Sequence, residues 1–282
     1  PPADHGLIVG TIGAGRAMTN DEQVRDEPTG AELAPDVAGD GKKGQPPLAL
    51  PEGPVLVVAA HPDDADFGCG ASMARLVAEG RQVTVAVVTD GTEGGSDPAM
   101  PDEQLRDRRE AEQRAALDAY GVRDVVFLRF PDGRLEPNVA ARRAIARVIR
   151  QVKPATVFAH DPTAHIFEGY INHPDHRAAG MAALDAVFPS AGNPRAFRDL
   201  LAEGLEAHAV KVVYLFYTAQ ANAWIEVTGD PLDRKLSGLR RHVSQIDPFW
   251  DIESWIRKEA ERAGTEAGVA AAEGFRRIIL GE

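Results

Sequence analysis

The run Val55-Leu-Val-Val-Ala-Ala60, apolar at every position, constrains this chain most. A strand with one wet face alternates apolar and polar residues, whereas one that is apolar throughout must be covered on both faces. Val83–Thr89 reads as a second such strand. Between the two, Asp66–Glu79 has helical spacing, with Met73, Leu76 and Val77 on one face and Gly80 as its stop. The same alternation continues with a charge-laced helix over Glu103–Tyr120 closed by Gly121, a strand over Val125–Phe130, and a helix capped by Asn138 and running to about Val152. Thr156–Ala159 reads as a strand, His176–Val187 as a helix, and Val210–Tyr217 and Trp224–Val227 as later strands. The remainder reads as mostly helical, with Pro231 suited to a first helical position. Such alternation predicts right-handed crossovers between parallel strands. The expected fold is α/β, a Rossmann-like open sandwich with a mostly parallel sheet.

The chain has 282 residues and is 44% hydrophobic, which suffices for one globular domain with a sizeable core. Residues 54–282 are expected to form it. Residues 1–53 read as a flexible arm and Pro-rich linker, because Thr19–Gly53 is rich in Asp, Glu, Gly and Pro and lacks aromatics. Gly6–Gly15 resembles a strand entering a glycine turn, but the third glycine of a dinucleotide fingerprint is missing. A net charge of -12 without a basic block argues against nucleic acid as a partner. No apolar stretch reaches the roughly 18 residues of a membrane span. The single cysteine, Cys69, excludes an intrachain disulfide and suits a reducing compartment, so a cytoplasmic location is the expectation. The chain opens on Pro1 rather than Met, which suggests a processed leader.

Ligands of open α/β sheets gather beyond the carboxyl ends of the strands. Two polar clusters fall there: His61-Pro-Asp63-Asp64-Ala-Asp66 after the first strand, and His173-Pro-Asp175-His176 in the loop after the fourth. His61, Asp64 and His176 supply two imidazoles and a carboxylate, a set that suits Zn2+ with a fourth position left for water. Asp63 cannot point the same way as its neighbour in a tight turn, which leaves it free to act as general base. His173 is placed to stabilise an oxyanion. Metal, base and oxyanion donor are what amide hydrolysis requires. Against this reading, His-x-x-Asp alone is common, and Asp66 can serve simply as a helix cap.

Ala60-His-Pro-Asp-Asp-Ala-Asp-Phe-Gly-Cys-Gly70 and Asn172-His-Pro-Asp-His-Arg177 resemble the paired signature motifs of the PIG-L (LmbE-like) deacetylase family, over about residues 54 to 245. The resemblance implies a zinc-dependent enzyme that removes an acyl group, acetyl above all, from an N-acylated amino sugar such as an N-acetylglucosamine derivative. It implies zinc on His61, Asp64 and His176, Asp63 as base and His173 at the oxyanion. It further implies that Arg109, in Arg109-x-x-Glu112, reaches substrate and that Asp132 binds sugar hydroxyls. The family's usual glutamate at or just before position 66 is replaced by Asp66.

Other residues carry two readings. Tyr170 either touches substrate or packs, and His160, Asp161 and His165 either join the site or order the loop. His242 and Gln245 resemble a family H-x-S-Q segment, where His242 is either a partner to a metal ligand or a plain helix histidine. Cys69 reads as a small packing residue, Arg240-Arg241 as a solvated face and His5 as incidental. Two competing functions stand beside the deacetylase. One is an amidase of thiol or antibiotic conjugates; the other is a non-catalytic carbohydrate-binding protein on the same fold. A nucleotide-binding Rossmann protein is disfavoured, because carboxylates stand where a phosphate turn belongs.

Overall fold

The computed structural model describes residues 50–95, 97–167 and 170–281. Most of the expected arm lies outside the described residues. Chain packing within them begins at Leu50, which lies against the core.

β1 (Val55–Ala59), β2 (Val83–Thr89), β3 (Asp124–Phe130), β4 (Thr156–His160) and β7 (Val212–Phe216) form the parallel part of a seven-stranded sheet ordered β3-β2-β1-β4-β7-β9-β8. Along β1 the side chains divide strictly: Val55, Val57 and Ala59 enter one core layer, Leu56 and Val58 the other. This double coverage is why β1 has no polar position. The first layer holds α1 (Asp64–Ala78), α2 (Asp102–Tyr120), α6 (Asp230–Leu239) and α7 (Ile252–Ala267). The second holds α3 (Val139–Val152) and α4 (Pro174–Asp185). A hairpin of β5 (Ile166–Phe167) and β6 (Tyr170–Ile171) follows β4, and a short α5 (Arg198–Ala202) precedes β7. Among the described residues no helix is long and apolar enough to cross a membrane.

The caps follow from sequence. Gly121 closes α2 at φ 81°, a conformation that glycine adopts without strain. Asn138 accepts the Ala141 N–H at the start of α3.

Three expectations need correction. α1 begins at Asp64 rather than Asp66, and α4 at Pro174 rather than His176. The tail is not mostly helical, because Ala272–Ile279 forms β9, antiparallel to both β7 and β8 (Ala223–Glu226). Its sequence hides the strand, since Glu273 points into the protein.

Glu273 is buried for a structural reason. α1 breaks at Cys69, where φ is -151°. The break frees the N–H groups of Ala71 and Ser72, and the Glu273 carboxylate accepts both, at 3.3 and 2.8 Å. Lys235 of α6 donates to the freed Phe67 carbonyl at 2.6 Å and pairs with Glu273 at 2.6 Å. The buried ion pair thus caps both halves of a split helix. Cys69 is buried at this break, and desolvation pushes its thiol well above the ordinary range, so it acts as a packing residue.

Candidate metal centre

The chain runs β1, α1, β2, α2, β3 towards one sheet edge, then crosses to β4 on the other side of β1. The switch between β1 and β4 opens a crevice at their carboxyl ends. His61 enters it from β1, and His173 and His176 enter it from the start of α4.

Asp64 sits at the centre. Its Oδ2 accepts the His61 N–H at 2.7 Å and lies 3.2 Å from His61 Nδ1. Its Oδ1 lies 3.1 Å from His176 Nε2. Ligands of a tetrahedral zinc with bonds of about 2.0 Å stand about 3.3 Å apart. Asp64 therefore stands at ligand spacing from each of the two expected histidines, through a different oxygen for each. Nearby donors form three overlapping groups, each with its ligand atoms within 4.8 Å: His61, His173 and His176; Asp64, His160 and His176; His61, Asp132 and Asp175.

The charge balance of the cluster also fits a cation. His61 is buried, and its Nε2 lies 3.0 Å from Asp132 Oδ1 and 3.4 Å from Asp175 Oδ2 without an aligned hydrogen bond to either. Burial alone would lower its pKa. The close carboxylates of Asp132, Asp175 and Asp64 outweigh this and push it up to about 12. Asp132 shows the converse: burial would raise it, but His61, the Glu93 amide and Arg109 hold it at about 2. An imidazole enclosed by three carboxylates marks a place that demands positive charge, which a divalent ion supplies.

His176 is held from behind. Asn172 Oδ1 lies 3.0 Å from His176 Nδ1, which orients that imidazole with Nε2 towards Asp64. Asn172 also roots the β5–β6 hairpin, through its N–H to the His165 carbonyl and its side chain to the Ala164 carbonyl. His160 stacks on His176 with ring centroids 4.4 Å apart. Its Nε2 accepts the Ala60 N–H at 3.1 Å, so this nitrogen is engaged although Asp64 lies 3.3 Å away. Burial, reinforced by His176, lowers His160 to about 4 and keeps it neutral. His160 is therefore a wall of the site, a role stronger than loop ordering. The signal in the sequence was its position as the last residue of β4.

Asp63 adopts φ 115°, the left-handed region that L residues avoid at a cost of about 1–2 kcal/mol. Its carboxylate meets Arg109 at 3.4 Å, whereas that of Asp64 meets His61 and His176. Burial raises Asp63 to about 6, against the lowering effect of Arg109 and with a further push from Asp64. His173 caps α4, its Nδ1 accepting the Asp175 N–H at 3.2 Å. That bond leaves the proton of the neutral ring on Nε2. Burial and the nearby His61 and His176 lower its pKa, so the neutral donor form prevails.

The substrate residues implied by resemblance lie deeper than expected. Arg109 is buried, and it donates to the carbonyls of Gly91 and Pro62 at 2.8 Å each and to Asp63 Oδ2 at 3.4 Å. Gly91, at φ +70°, lies so close that a Cβ there would come 2.9 Å from the Arg109 Nη1. Asp132 faces His61 and accepts the Glu93 N–H at 3.0 Å. Tyr170 belongs to β6 by its backbone, and its side chain lies outside the described part. Glu112 accepts the N–H and hydroxyl of Ser244 and so fastens the segment that carries His242. His242 stands beyond the end of α6, so it is not a helix histidine, and it faces Asp66 at 3.3 Å rather than a ligand. Asp66 lies inside α1 and accepts from Gln113, so it is not a cap.

Comparison with known proteins gives a consistent result. The family model for the GlcNAc-PI de-N-acetylases, PIG-L, matches residues 56–187. Diacetylchitobiose deacetylase of Thermococcus kodakarensis is 33% identical over 224 residues, 79% of this chain and 82% of that protein. The 1D-myo-inositol 2-acetamido-2-deoxy-alpha-D-glucopyranoside deacetylase of Streptomyces avermitilis is 34% identical over 51% of this chain, and the match spans 59% of that protein. In structure, N,N'-diacetylchitobiose deacetylase from Pyrococcus horikoshii, complexed with its inhibitor, superposes with a TM-score of 0.73 at 30% identity, over 80% of this chain and 83% of that one.

Proposed function

The chain belongs to the PIG-L family, and from that premise we propose that it is a zinc-dependent hydrolase that removes the acetyl group from an N-acetylated amino sugar. His61, Asp64 and His176 hold the metal. The observation that carries the proposal is the convergence of His61 and His176 on the two oxygens of Asp64, at 3.2 and 3.1 Å, in a crevice beside Asp63 and His173. Bound there, zinc supplies a water whose pKa is lowered towards about 7 and polarises the acyl oxygen.

Asp63 accepts the proton as the water attacks the amide carbon, which its value of about 6 suits at neutral pH. The neutral His173 donates its Nε2–H to the oxyanion that develops on the acyl oxygen. As the C–N bond breaks, Asp63 returns the proton to the departing amine, leaving acetate and a free amino sugar. Arg109 braces Asp63 and the turn that carries it. Asp132 orients His61 from within the crevice.

The test is amine release from N,N'-diacetylchitobiose and from N-acetylglucosaminyl inositol by the purified chain. Equimolar acetate and primary amine are expected, abolished by a chelator and restored by zinc. Tight sugar binding with zinc in place but no amine from any N-acyl substrate would replace this reading with that of a carbohydrate-binding protein.

A further inference from the structure

Asp63 is held in a conformation it would not choose, and the hold comes from another helix. Gln113 lies one turn beyond Arg109 on α2, so both side chains face the turn after β1. Gln113 is fully buried. Its Oε1 accepts the Asp63 N–H at 2.7 Å, and its Nε2 donates to Asp66 Oδ2 at 2.7 Å. Asp66 is itself buried and stands 3.3 Å from His242 Nε2. Arg109 meanwhile grips the Pro62 carbonyl and the Asp63 carboxylate. The Asp63 carbonyl accepts from Asp66 N–H and Phe67 N–H as α1 begins. The peptide on each side of Asp63 is thus fastened, and Gln113 takes its amide. A residue with a β-carbon persists at φ 115° only where its surroundings over-determine the backbone.

We infer that Gln113 is a positioning residue for the general base: it locks the left-handed turn that separates the Asp63 carboxylate from that of the ligand Asp64. This inference rests on the reading of Asp63 as the base. Gln113 touches neither the metal ligands nor the substrate, and it acts through the Asp63 backbone. Without it the turn relaxes, and the carboxylate leaves its attack position while the triad keeps its spacing.

The test is Gln113→Met in the full chain, a change of similar volume with neither donor nor acceptor. Zinc content is expected to stay at the wild-type level and KM to stay within about twofold, while kcat on N,N'-diacetylchitobiose falls about 10- to 100-fold, the usual result of misplacing a reacting group by about an ångström. Combined with Asp63→Asn, Gln113→Met should cost nothing further; a merely structural role would multiply the two losses. Hydrogen exchange at the Asp63 amide should be slow in the wild type and fast in Gln113→Met. Unchanged kcat, or loss of zinc, overturns the inference. Should the variant not fold, the wild type alone decides: an Asp63 amide that exchanges like an exposed loop amide overturns the inference. Full activity in Asp63→Asn would instead remove the base assignment, a failure visible in that variant by itself.

Discussion

Replacing Asp63 by asparagine removes a proton acceptor and almost nothing else. The side chains are nearly isosteric, and the contacts of Asp64 with His61 and His176 do not involve Asp63. Arg109 loses a charged partner at 3.4 Å but keeps the carbonyls of Gly91 and Pro62, and the Gln113 bond to the backbone remains. Zinc content should therefore stay at about one ion per chain. A base poised near its working pH contributes roughly 10²- to 10⁴-fold, so kcat should fall by at least about 100-fold, or about 2.7 kcal/mol of barrier. The pH profile gives an independent check. Asp63 works deprotonated, so the wild-type rate should fall as pH drops through a pKa raised to about 6, or somewhat lower once zinc adds its charge nearby. In the asparagine variant that acidic limb should vanish or move. The assay is amine release against pH, with metal measured on the same protein. Loss of zinc would make Asp63 a ligand; full activity with zinc kept would move the base elsewhere.

Four further outcomes follow from the same geometry. His173→Ala should keep its zinc and lose roughly 10²- to 10³-fold in kcat, with about 1 kcal/mol of stability lost with the α4 cap; metal loss on elemental analysis would contradict its place outside the ligand set. His61→Ala and His176→Ala should lose metal first and activity in consequence, and a stoichiometric ion in either variant would refute the triad. Glu273→Gln should cost about 3–5 kcal/mol in urea unfolding, because it leaves Lys235 charged and buried at the break in α1; a change within about 0.5 kcal/mol would refute that role. A chain beginning at Leu50 should fold and keep its kcat, and a large loss of kcat in a stably folded protein would place part of residues 1–49 in the site.

The parallel half of the fold was legible because its strands are covered on both faces. Burial writes itself into β1 as an unbroken apolar run and into β2 as an apolar run interrupted only by threonine, and Gly121 and Asn138 announce helix ends through backbone and capping chemistry. β9 was illegible for the opposite reason. Its inward positions include Glu273, whose partner and whose task both come from elsewhere in the chain. The proposed ligands His61, Asp64 and His176 could be picked out because they are of telling chemistry and fall in two short clusters. What holds them could not. Asn172, His160 and Gln113 are ordinary residue types whose roles exist only once β4, α4 and α2 are packed around β1. Arg109 illustrates the limit of resemblance: the motif points to a residue at the site, and only the fold shows its guanidinium turned to backbone carbonyls.

Two adjacent carboxylates at a strand exit would repel one another if both pointed into the crevice. The left-handed turn at Asp63 resolves the conflict, and it divides the site between the two faces of the sheet. From the side of α1, α2 and α6 come Arg109, Gln113 and, through Asp66, His242; all bear on Asp63 and its turn. From the side of α4 come Asn172, through His176, and Asp175, through His61 and the loop after β3; these bear on the metal ligands. Support for the proposed base and for the proposed histidine ligands therefore comes mainly from different layers, although Asp64 itself opens α1 and Arg109 Nη1 lies 3.9 Å from Asp132. It follows that substitutions on the α2 face should change kcat while metal is retained, and those on the α4 face should change metal affinity first. A variant of Gln113 that sheds zinc, or one of Asn172 that alters turnover at full zinc occupancy without weakening zinc binding, would show that the two layers are mechanically coupled rather than independent.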